Sequence, residues 1–346
     1  MRIAHIIWGL STGGAETMLV DIANEQVKTE EVAIVIVNNT IEETLFRKID
    51  SRCVIRLCNR KVGSRSIVPW IKLNVFLLKY SPDIIHFHLE GMRKMVLHPA
   101  PKVFTIHNTH TSGREYSRYH ALYAISDGVK DYTLNQGFLS TTVWNGINTD
   151  IITTKAGVQY KAGEICHIIC VGRLFTPHKG QDILLDALAL LLSEGEHRFH
   201  LDLIGEGESR GTLEKIIRKK SLQKEVKLLG HKDRGYVYQH LADYDLFVLP
   251  SRSEGFGLSV AEAMCAKVPV LVSDLDGVLD VINNGAYGQT FKTGDAGDLA
   301  LKIKAFITKG EDVNMIQRAY SYARDQFDIK KTARRYIEEY KKVLTI

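Results

Sequence analysis

The chain has 346 residues, of which 45% are hydrophobic and 25% charged, with 27 glycines and 7 prolines. This length exceeds what one compact domain usually needs, and the composition excludes a disordered, collagen-like or low-complexity chain. The net charge of +5 lies in the first half: residues 1–162 hold 19 basic and 14 acidic residues, whereas residues 163–346 hold 26 of each. A cationic half leaves nucleic acid, an anionic membrane and an acidic substrate open as partners.

Apolar runs of strand length alternate with helix-like segments along the chain. The predicted strands span 2–8, 31–37, 52–57, 83–88, 102–107, 121–126 and 141–144 in the first half, and 164–172, 199–205, 226–229, 245–250 and 268–273 in the second. Most are continuously apolar, which is typical of strands buried on both faces of a parallel sheet. Strand alternating with helix through two successive halves predicts two doubly wound α/β domains.

Three further features bound the class of protein. The opening run predicts a strand rather than a signal peptide, because polar and glycine residues soon interrupt it, and no apolar run reaches the length of a membrane span. The five cysteines are odd in number and lack CxxC spacing, so we expect a reduced chain without a zinc site. The final segment predicts a charged helix with one apolar stripe, formed by Ala333, Ile337, Tyr340 and Leu344.

The cationic excess is concentrated between residues 47 and 79. There a single acidic residue, Asp50, accompanies Arg47, Lys48, Arg52, Arg56, Arg60, Lys61, Arg65, Lys72 and Lys79. Residues 67–80 predict a short apolar helix, which could be a core helix of the first sheet. For the cationic run before it, 47–65, we predict contact with anionic lipid head groups or a lipid-diphosphate acceptor, with Trp70 at the interface.

Open parallel sheets bind ligands beyond the carboxyl ends of their strands, so the segments after the strands are the candidate sites. After the first strand, Gly13 and Gly14 precede a helix, and paired glycines let backbone N–H groups approach an anion there. The spacing is not GxGxxG, which disfavours a dinucleotide dehydrogenase. A tight turn without a ligand remains the alternative.

The strongest local motif spans residues 245–264. A buried strand ends at Pro250, a glycine-bearing loop follows, and a helix opens near Leu258, so that a positive helix end suited to a diphosphate faces the crevice. Glu254 and Glu262 bracket this helix start and could accept hydrogen bonds from the hydroxyls of a sugar and a ribose. Alternatively, Glu254 complements the helix dipole and Glu262 is solvated.

Cations for a diphosphate should come from a neighbouring loop. Arg173 and Lys179 flank the loop after strand 164–172, where fixed positive charge would stabilise a departing diphosphate. The alternative is two surface cations. Gly205 and His231 follow two further strands of the same sheet and could wall a nucleobase pocket.

Together these motifs resemble the group 1 (family 4) glycosyltransferases. The matching segments are GGAE at 13–16, VGRL and KG within 171–180, GEGE at 205–208 and LFVLPSRSEGFGLSVAEAM at 246–264, with further matches at 85–88, 105–108 and 143–148. The resemblance covers nearly the whole chain and implies a retaining GT-B enzyme that uses a nucleotide sugar. It implies an acceptor-side Rossmann-like domain at 1–155 and a nucleotide-sugar domain at 163–328, facing a central cleft. A helix at 329–346 would cross back to the first domain.

The resemblance also implies roles for individual residues. Glu254 would contact the donor sugar, Glu262 would hold the ribose, and Arg173 with Lys179 would bind the diphosphate. Backbone N–H groups would come from Phe256, Gly257 and Leu258, and Gly13 and Gly14 would close over the diphosphate. His107 would lie near the reacting centre, with His110 as an outside candidate, while His86 more plausibly fills a core role.

The expected mechanism follows from these roles. An acceptor hydroxyl attacks the anomeric carbon from the face that the nucleotide leaves, and a leaving phosphate oxygen takes its proton; Glu254 as general base is the alternative. Asp274 and Asp276 formally match a D-x-D metal motif, but no third ligand is near in sequence, so we expect neither metal nor cofactor. Asp280 departs from the glutamate that the family usually has there.

The expected partners are a nucleotide sugar, with a UDP-sugar first, and a glycan or lipid-linked acceptor in surface polysaccharide or lipopolysaccharide assembly. An anionic membrane surface is a further candidate, whereas nucleic acid is not, because no aromatic–basic module is present. The expected location is the cytoplasm, with peripheral attachment to the inner face of the cytoplasmic membrane as an alternative. The rival functions are a GT-B sugar-nucleotide epimerase or phosphorylase and a non-catalytic nucleotide-sugar binder.

Overall fold

A computed structural model describes residues 1–11, 13–109, 111–157 and 160–345. The strands are β1 (Arg2–Ile7), β2 (Glu31–Asn38), β3 (Val54–Arg60), β4 (Ile84–Phe87), β5 (Lys102–Ile106), β6 (Ala121–Ala124), β7 (Thr141–Thr142), β8 (Cys166–Val171), β9 (Phe199–Ile204), β10 (Val226–Gly230), β11 (Leu246–Leu249), β12 (Val270–Ser273) and β13 (Gln289–Phe291). The helices are α1 (Gly14–Gln26), α2 (Glu43–Phe46), α3 (Val68–Tyr80), α4 (Asp127–Asn135), α5 (Thr176–Lys179), α6 (Gln181–Ser193), α7 (Arg210–Lys219), α8 (Arg234–His240), α9 (Leu258–Cys265), α10 (Asp276–Val281), α11 (Ala296–Lys309), α12 (Val313–Gln326) and α13 (Ile329–Leu344).

The chain divides into two compact units. The first comprises Met1–Asn148 and Phe327–Ile346, and the second comprises Thr149–Gln326. Seven of the described strands form a parallel sheet in the first unit, in the order β3-β2-β1-β4-β5-β6-β7, and six form a parallel sheet in the second, in the order β10-β9-β8-β11-β12-β13. In each sheet the order reverses beside the first strand, as in doubly wound folds. The predicted α/β architecture is confirmed.

The continuously apolar runs form strands because both faces of each sheet are covered. In β1 the residues from Ile3 to Ile7 are buried, and in β2 those from Val32 to Val37. Parallel strands in this position bury apolar side chains on both sides and satisfy their backbone groups within the sheet. The edge strand β13 was not predicted, since three residues with one exposed side chain carry no apolar run.

Several helices begin at side-chain caps that the sequence provides. Ser126 Oγ accepts a hydrogen bond from Val129 N at the start of α4, at 3.2 Å. Asp233 Oδ1 accepts one from Tyr236 N at the start of α8, at 2.7 Å. Such caps satisfy backbone donors that have no partner within the helix.

The last helix, α13, belongs to the first unit. The returning chain pairs with the end of that unit, because Ile147 N donates to Phe327 O at 2.7 Å and Ile329 N donates to Ile147 O at 3.0 Å. Helix α13 packs on α1. The predicted apolar stripe was wrong in two positions: Tyr336 is buried where Ile337 was expected, and Leu344 is exposed.

The boundary between the units falls at Asn148, earlier than the predicted domain end at residue 155. Two contacts hold the intervening segment to the second unit. Thr153 N donates to Tyr238 O at 3.0 Å, and Lys155 Nζ pairs with Asp245 at 2.8 Å.

Helix α3 covers the edge of the first sheet with one face. Its buried side chains pack toward β3 and β2; they are Pro69, Trp70, Leu73 and Leu77. Trp70 meets Trp8 edge-on, with ring centroids 5.7 Å apart. The prediction that Trp70 lies at an interface is therefore wrong, because the ring is part of the core. None of the described helices is both long and apolar enough to cross a bilayer.

Candidate functional site

The candidate site of the second unit lies where strand order reverses. Strand β8 pairs with β9 on one side and with β11 on the other. The chain therefore leaves β8 and β11 in opposite directions, which opens a crevice at their carboxyl ends. The loops after these two strands carry the Arg173–Lys179 and Glu254–Glu262 segments that the sequence singled out.

Backbone contacts fasten these two loops to each other. Gly180 has a φ of +61°, and a Cβ there would collide with the carbonyl oxygen of Pro250, so only glycine fits. His178 O accepts hydrogen bonds from Arg252 N at 2.7 Å and from Ser253 N at 3.2 Å. The loop after β8 is thereby held against the loop after β11.

This arrangement brings Lys179 and Glu254 together. Lys179 Nζ donates to Glu254 Oε2 at 2.5 Å, and the two side chains are 28% and 16% exposed. The pair places a fixed positive charge beside a carboxylate at the mouth of the crevice. The ammonium can bind a phosphate oxygen, and the carboxylate can accept hydrogen bonds from sugar hydroxyls.

Arg173 does not join this pair in the structure. Its Nη2 donates to Glu208 Oε1 at 2.6 Å, and its guanidinium lies 5.4 Å from the ring centroid of Phe175. Both partners of the ion pair are largely exposed, at 63% and 71%. Such solvent-screened pairs are weak, so an incoming anion can displace Glu208 at little cost.

The predicted pocket-wall residues lie at two further strand ends. Gly205 follows β9 with a φ of +146°, and a Cβ there would collide with the carbonyl oxygen of Gly172. Its glycine identity thus has a packing reason, the close approach of the loops after β8 and β9. His231 follows β10 and is exposed.

An ion pair that sequence reasoning missed fixes the loop after β11. The guanidinium of Arg252 donates to both carboxylate oxygens of Asp182, at 2.7 and 2.8 Å, and to Thr176 O at 2.7 Å. The hydrogen bonds to Asp182 raise the pKa of Arg252. Asp182 lies in the first turn of α6, so only the tertiary fold brings the two side chains together.

Packing also fixes the start of α9. Phe256 is buried and Gly257 is the residue before the helix, which begins at Leu258. The first N–H groups of a helix have no partner within it and carry the positive end of the helix dipole. The start of α9 is therefore a site for negative charge in the same crevice as Lys179.

Glu262 is buried within α9 and braced by two side chains of α8. Its Oε1 accepts from Arg234 Nε at 3.2 Å and from Tyr238 Oη at 3.1 Å, and the guanidinium of Arg234 lies 5.0 Å from the Tyr238 ring centroid. The alternative of a solvated Glu262 is excluded. Sequence reasoning missed Arg234 and Tyr238 because they lie 28 and 24 positions away.

In the first unit, a carboxylate already lies at the start of α1. Gly13 precedes the helix that begins at Gly14, and the Glu16 carboxylate lies against Gly13. Ser11 Oγ donates to Glu16 Oε1 at 2.7 Å. An anion that binds at this helix start would displace the Glu16 carboxylate.

His107 follows β5 and has a buried, unpartnered nitrogen. Its Nε2 has no hydrogen-bond partner among the described residues, and its ring lies 5.8 Å from that of His88. Burial lowers the pKa of His107 to about 4, so the imidazole is neutral at pH 7. A neutral ring can donate or accept a hydrogen bond but supplies no positive charge. His110 lies outside the described residues.

Three buried histidines lie behind His107, and among the described residues they alone are grouped closely enough to share a metal ion: His5, His86 and His88. His5 Nδ1 and His88 Nε2 share a hydrogen bond at 3.0 Å. His86 bonds through Nδ1 to Tyr340 Oη at 2.6 Å and through Nε2 to Thr105 Oγ1 at 2.7 Å. The expected core role of His86 agrees with these contacts, which form a neutral hydrogen-bond network.

Asp274, from the formal D-x-D motif, bonds within its own unit. Its Oδ1 accepts from Thr293 N at 2.7 Å and from Thr293 Oγ1 at 2.6 Å. These hydrogen bonds lower the pKa of Asp274. Asp276 is the first residue of α10.

Comparisons with known proteins match both halves of the chain. Residues 12–151 match the family described as Glycosyltransferase Family 4, and residues 161–326 match Glycosyl transferases group 1. An uncharacterized glycosyltransferase of Methanocaldococcus jannaschii is 29% identical over 196 residues, which are 55% of this chain and 52% of that protein. Phosphatidyl-myo-inositol mannosyltransferase of Mycobacterium leprae is 25% identical over 245 residues, 65% of this chain and 64% of that protein. The chain thus spans between half and two thirds of the length of these relatives.

Solved structures share the fold. The crystal structure of HepE from Anabaena in complex with UDP-glucose matches with a TM-score of 0.80 and 22% identity, over 98% of this chain and 99% of that chain. Two doubly wound parallel sheets with this similarity define an α/β protein of GT-B type. The chain belongs to the group 1 (family 4) glycosyltransferases, whose models match its two halves in order.

Proposed function

We propose that this chain transfers a hexose or N-acetylhexosamine from a nucleotide sugar to an acceptor hydroxyl, with retention of the anomeric configuration. The observation that carries the proposal is the Lys179–Glu254 pair beside the start of α9. A nucleotide sugar presents a diphosphate bonded to a sugar, and this pair offers a cation for the first and a carboxylate for the second. Family membership and the braced Glu262 support the same proposal.

For the donor we propose a UDP-sugar first. The structurally similar Anabaena protein was solved with UDP-glucose, which motivates the choice. Glu262 would accept hydrogen bonds from the ribose hydroxyls, and its contacts with Arg234 and Tyr238 hold it in one orientation for that purpose. His231 and Gly205 would border the base.

In the proposed reaction the acceptor hydroxyl attacks the anomeric carbon from the face that the diphosphate leaves. The bond between the anomeric carbon and the phosphate oxygen breaks, and a leaving phosphate oxygen takes the proton of the hydroxyl. The products are a glycoside and a nucleoside diphosphate. Arg173, Lys179 and the start of α9 stabilise the charge that develops on the diphosphate, without a metal ion.

Glu254 as a general base is the less favoured mechanism. Oε2 of Glu254 already accepts a hydrogen bond from the Lys179 ammonium at 2.5 Å, so this oxygen is engaged in the ion pair. We therefore propose that Glu254 positions the donor sugar. His107, in the first unit, would act as a neutral hydrogen-bonding group.

For the acceptor we propose a glycan or lipid-linked molecule in surface polysaccharide or lipopolysaccharide assembly. The Mycobacterium leprae relative carries a lipid, phosphatidyl-myo-inositol, in its name. The cationic excess of the first half suits an acceptor with phosphate groups. We propose a cytoplasmic location for this activity.

The test is a panel of UDP-, GDP- and ADP-sugars incubated with the full chain, with release of the nucleotide as readout. We expect slow release from one nucleotide class, since water can replace the acceptor. Binding without release from any donor would favour the non-catalytic binder. Interconversion of two sugar nucleotides would identify an epimerase, and sugar-phosphate formation that requires inorganic phosphate would identify a phosphorylase.

Two further measurements test the mechanism once a donor and acceptor are found. The proton spectrum of the first-formed glycoside reports its anomeric configuration, and the inverted anomer would overturn the retaining mechanism. Activity measured with EDTA and with added Mg²⁺ or Mn²⁺ tests metal independence. Loss of activity in EDTA that added metal restores would overturn it.

A further inference from the structure

Helix α3 exposes an apolar face to solvent. Five apolar side chains at its start and along its length are exposed; they are Ile67 at 66%, Val68 at 51%, Ile71 at 54%, Val75 at 43% and Leu78 at 64%. At roughly 100° per residue, these positions fall in one sector of the helix. We call this sector the α3 outer face.

The α3 outer face is not a consequence of poor packing. The opposite side of the helix is buried, with Leu73 and Leu77 inaccessible to solvent and Trp70 against Trp8. The helix is therefore firmly seated on the sheet and remains apolar on its second side. A contiguous exposed apolar patch of this kind marks an interaction surface.

Unpaired cations border this face. Lys72 and Lys79 lie on the same side of the helix, seven residues apart. Lys61 and Arg65 lie in the loop before the helix. All four are exposed, and none forms an ion pair with any residue that the structure describes. Residues 61–80 contain no aspartate or glutamate.

Other cations of the run are engaged within the chain. Arg47 pairs with Glu43 at 2.9 Å and Arg52 pairs with Asp50 at 2.7 Å, so both are neutralised within the chain. The cations beside α3 keep their charge for a partner. The four cations beside α3 are therefore only part of the stretch that the sequence indicated.

We propose that the α3 outer face, with Lys61, Arg65, Lys72 and Lys79, docks this protein on an anionic lipid bilayer. An apolar stripe bordered by lysines is the pattern of a helix that lies in the plane of the membrane interface. Lysine stems extend over apolar surface while the ammonium groups reach the head groups. This inference is independent of the proposed reaction.

A protein partner fits the same face less well. Cores of protein interfaces are enriched in aromatic residues and arginine and depleted in lysine. The exposed apolar residues of α3 are aliphatic, and its two exposed cations are lysines. A bilayer requires only apolar depth and positive charge, which this face supplies.

The experiment measures flotation of the full chain with vesicles of phosphatidylcholine alone and with added phosphatidylglycerol. We expect binding to the anionic vesicles that weakens with salt, and little binding to the neutral ones. Changing Ile71, Val75 and Leu78 together to Gln should lower binding to anionic vesicles at least tenfold. Thermal unfolding of this variant should match that of the parent, because the three side chains are exposed.

A matched control changes three other exposed apolar residues of the first unit to Gln. Leu97, Leu134 and Leu139 are exposed at 78%, 53% and 85%, and their change to Gln should leave binding unchanged. Equal losses in both triple variants, or no loss in the α3 variant, would overturn the proposal. So would failure of the parent chain to bind anionic vesicles.

The charge contribution has its own pair of variants. Changing Lys61, Arg65, Lys72 and Lys79 to Gln should abolish the preference for anionic over neutral vesicles. Changing four exposed cations elsewhere to Gln should keep that preference; these are Arg47, Lys48, Arg114 and Lys130. An equal effect of both sets would contradict a defined surface.

Two readouts separate this proposal from its rivals. Nucleotide release from a soluble donor should be unchanged in the α3 variants, so a failure of the proposed reaction and a failure of docking are distinguishable. Light scattering of the vesicle-free protein reports its mass. If the parent chain is a dimer and the α3 variant is a monomer, the α3 outer face binds a second copy of the chain and not a bilayer.

Discussion

Lys179 owes its position to backbone contacts on either side of it. His178 O accepts two hydrogen bonds from the loop after β11, and Gly180 lies against Pro250. These contacts hold the ammonium against Glu254. A preorganised cation costs little reorganisation when charge develops on a leaving group, which is why such groups contribute strongly to catalysis.

We predict that Lys179→Met lowers the rate of nucleotide release by about 10²- to 10³-fold, the usual cost of removing one preorganised charge-stabilising group. Steady-state kinetics on the accepted donor measures the change. Lys304 is the matched control, since it forms an exposed pair with Glu194 at 2.6 Å in the same unit. Equal kinetics for Lys179→Met and the parent, or an equal loss in Lys304→Met, would exclude a catalytic role for Lys179.

Glu262 couples stability and donor binding in one side chain. Its buried carboxylate accepts from Arg234 and Tyr238, and charge-assisted hydrogen bonds are stronger than neutral ones. Glu262→Gln keeps the shape and removes the charge. We expect a loss of about 1–3 kcal/mol in the free energy of unfolding, together with weaker nucleotide binding.

Tyr238→Phe separates the two effects. It removes one hydrogen bond to Glu262 Oε1 and leaves the carboxylate charged. We therefore expect the free energy of unfolding to fall by about 1 kcal/mol, with nucleotide affinity retained. Urea unfolding and calorimetric titration with UDP measure the two quantities. Unchanged affinity in Glu262→Gln would contradict the ribose-binding role.

At the scale of single residues, sequence reasoning found the residues that follow strands and missed their hydrogen-bond partners. Glu254 and Lys179 are identifiable because each lies just after a strand end in a short motif. Arg234, Tyr238 and Asp182 carry no motif, and only their side-chain hydrogen bonds to Glu262 and Arg252 give them a role. Partners that are distant in sequence are fixed by tertiary contacts, which no local pattern encodes.

At the scale of elements, buried strands were the most predictable part of the fold. Continuously apolar runs such as 31–37 correspond to strands, because burial on both faces leaves no alternation. Helix α3 shows the limit of such reasoning. Apart from Lys72, Asn74 and Lys79 its sequence is apolar or aromatic, so the pattern could not say which apolar face packs, and Trp70 was assigned to the wrong one.

Helix α13 closes a buried polar cluster on the first sheet. Tyr336 and Tyr340 are buried, with Tyr340 bonded to His86 and Tyr336 to Thr105. The histidines of this region are neutral because burial disfavours their charged form, which lowers the pKa of His5 and of His107 to about 4.

We predict that the first unit loses stability as the pH falls below 6.5. Unfolded histidine titrates near 6.5 and these folded histidines near 4, so between those values the unfolded chain binds more protons. The contribution of these histidines to the free energy of unfolding is therefore fully present above pH 6.5. It declines toward pH 4, by roughly 1 kcal/mol per histidine for each pH unit. Urea unfolding at pH 7.5, 6.5 and 5.5 measures it.

Tryptophan fluorescence isolates the unit concerned. The three tryptophans, Trp8, Trp70 and Trp144, all belong to the first unit. His107→Gln removes one of the titrating groups and should reduce the pH slope. His200→Gln, at an exposed position of the second unit, should not. A free energy of unfolding that is the same at all three pH values would contradict neutral buried histidines.

At the scale of the molecule, chemistry and charge are divided between the units. The donor-binding candidates Arg173, Lys179, Glu254 and Glu262 all belong to the second unit, whose residues 149–326 include 22 basic and 24 acidic ones. The unpaired cations and the α3 outer face belong to the first. One unit is thus suited to a nucleotide sugar, and the other to an anionic surface or acceptor.

The first unit is assembled from both ends of the chain, and this has a testable consequence. Ending the chain at Gln326 removes α13 and leaves every residue of the second unit in place. The first unit would lose two buried tyrosines, and loss of a large buried aromatic typically costs about 3–5 kcal/mol. Two such losses approach the whole stability of a typical domain.

We therefore predict that the shortened chain has an unfolded first unit and a folded second unit. Tryptophan fluorescence should shift to that of exposed indole, while hydrogen exchange should remain slow in β8, β9 and β11 and UDP should still raise the melting temperature of the second unit. Leu344→Gln, at an exposed position of α13, should leave both units as they are in the full chain. Native tryptophan fluorescence in the shortened chain would show that α13 is dispensable, and loss of protection in β8 would show that the two units do not fold separately.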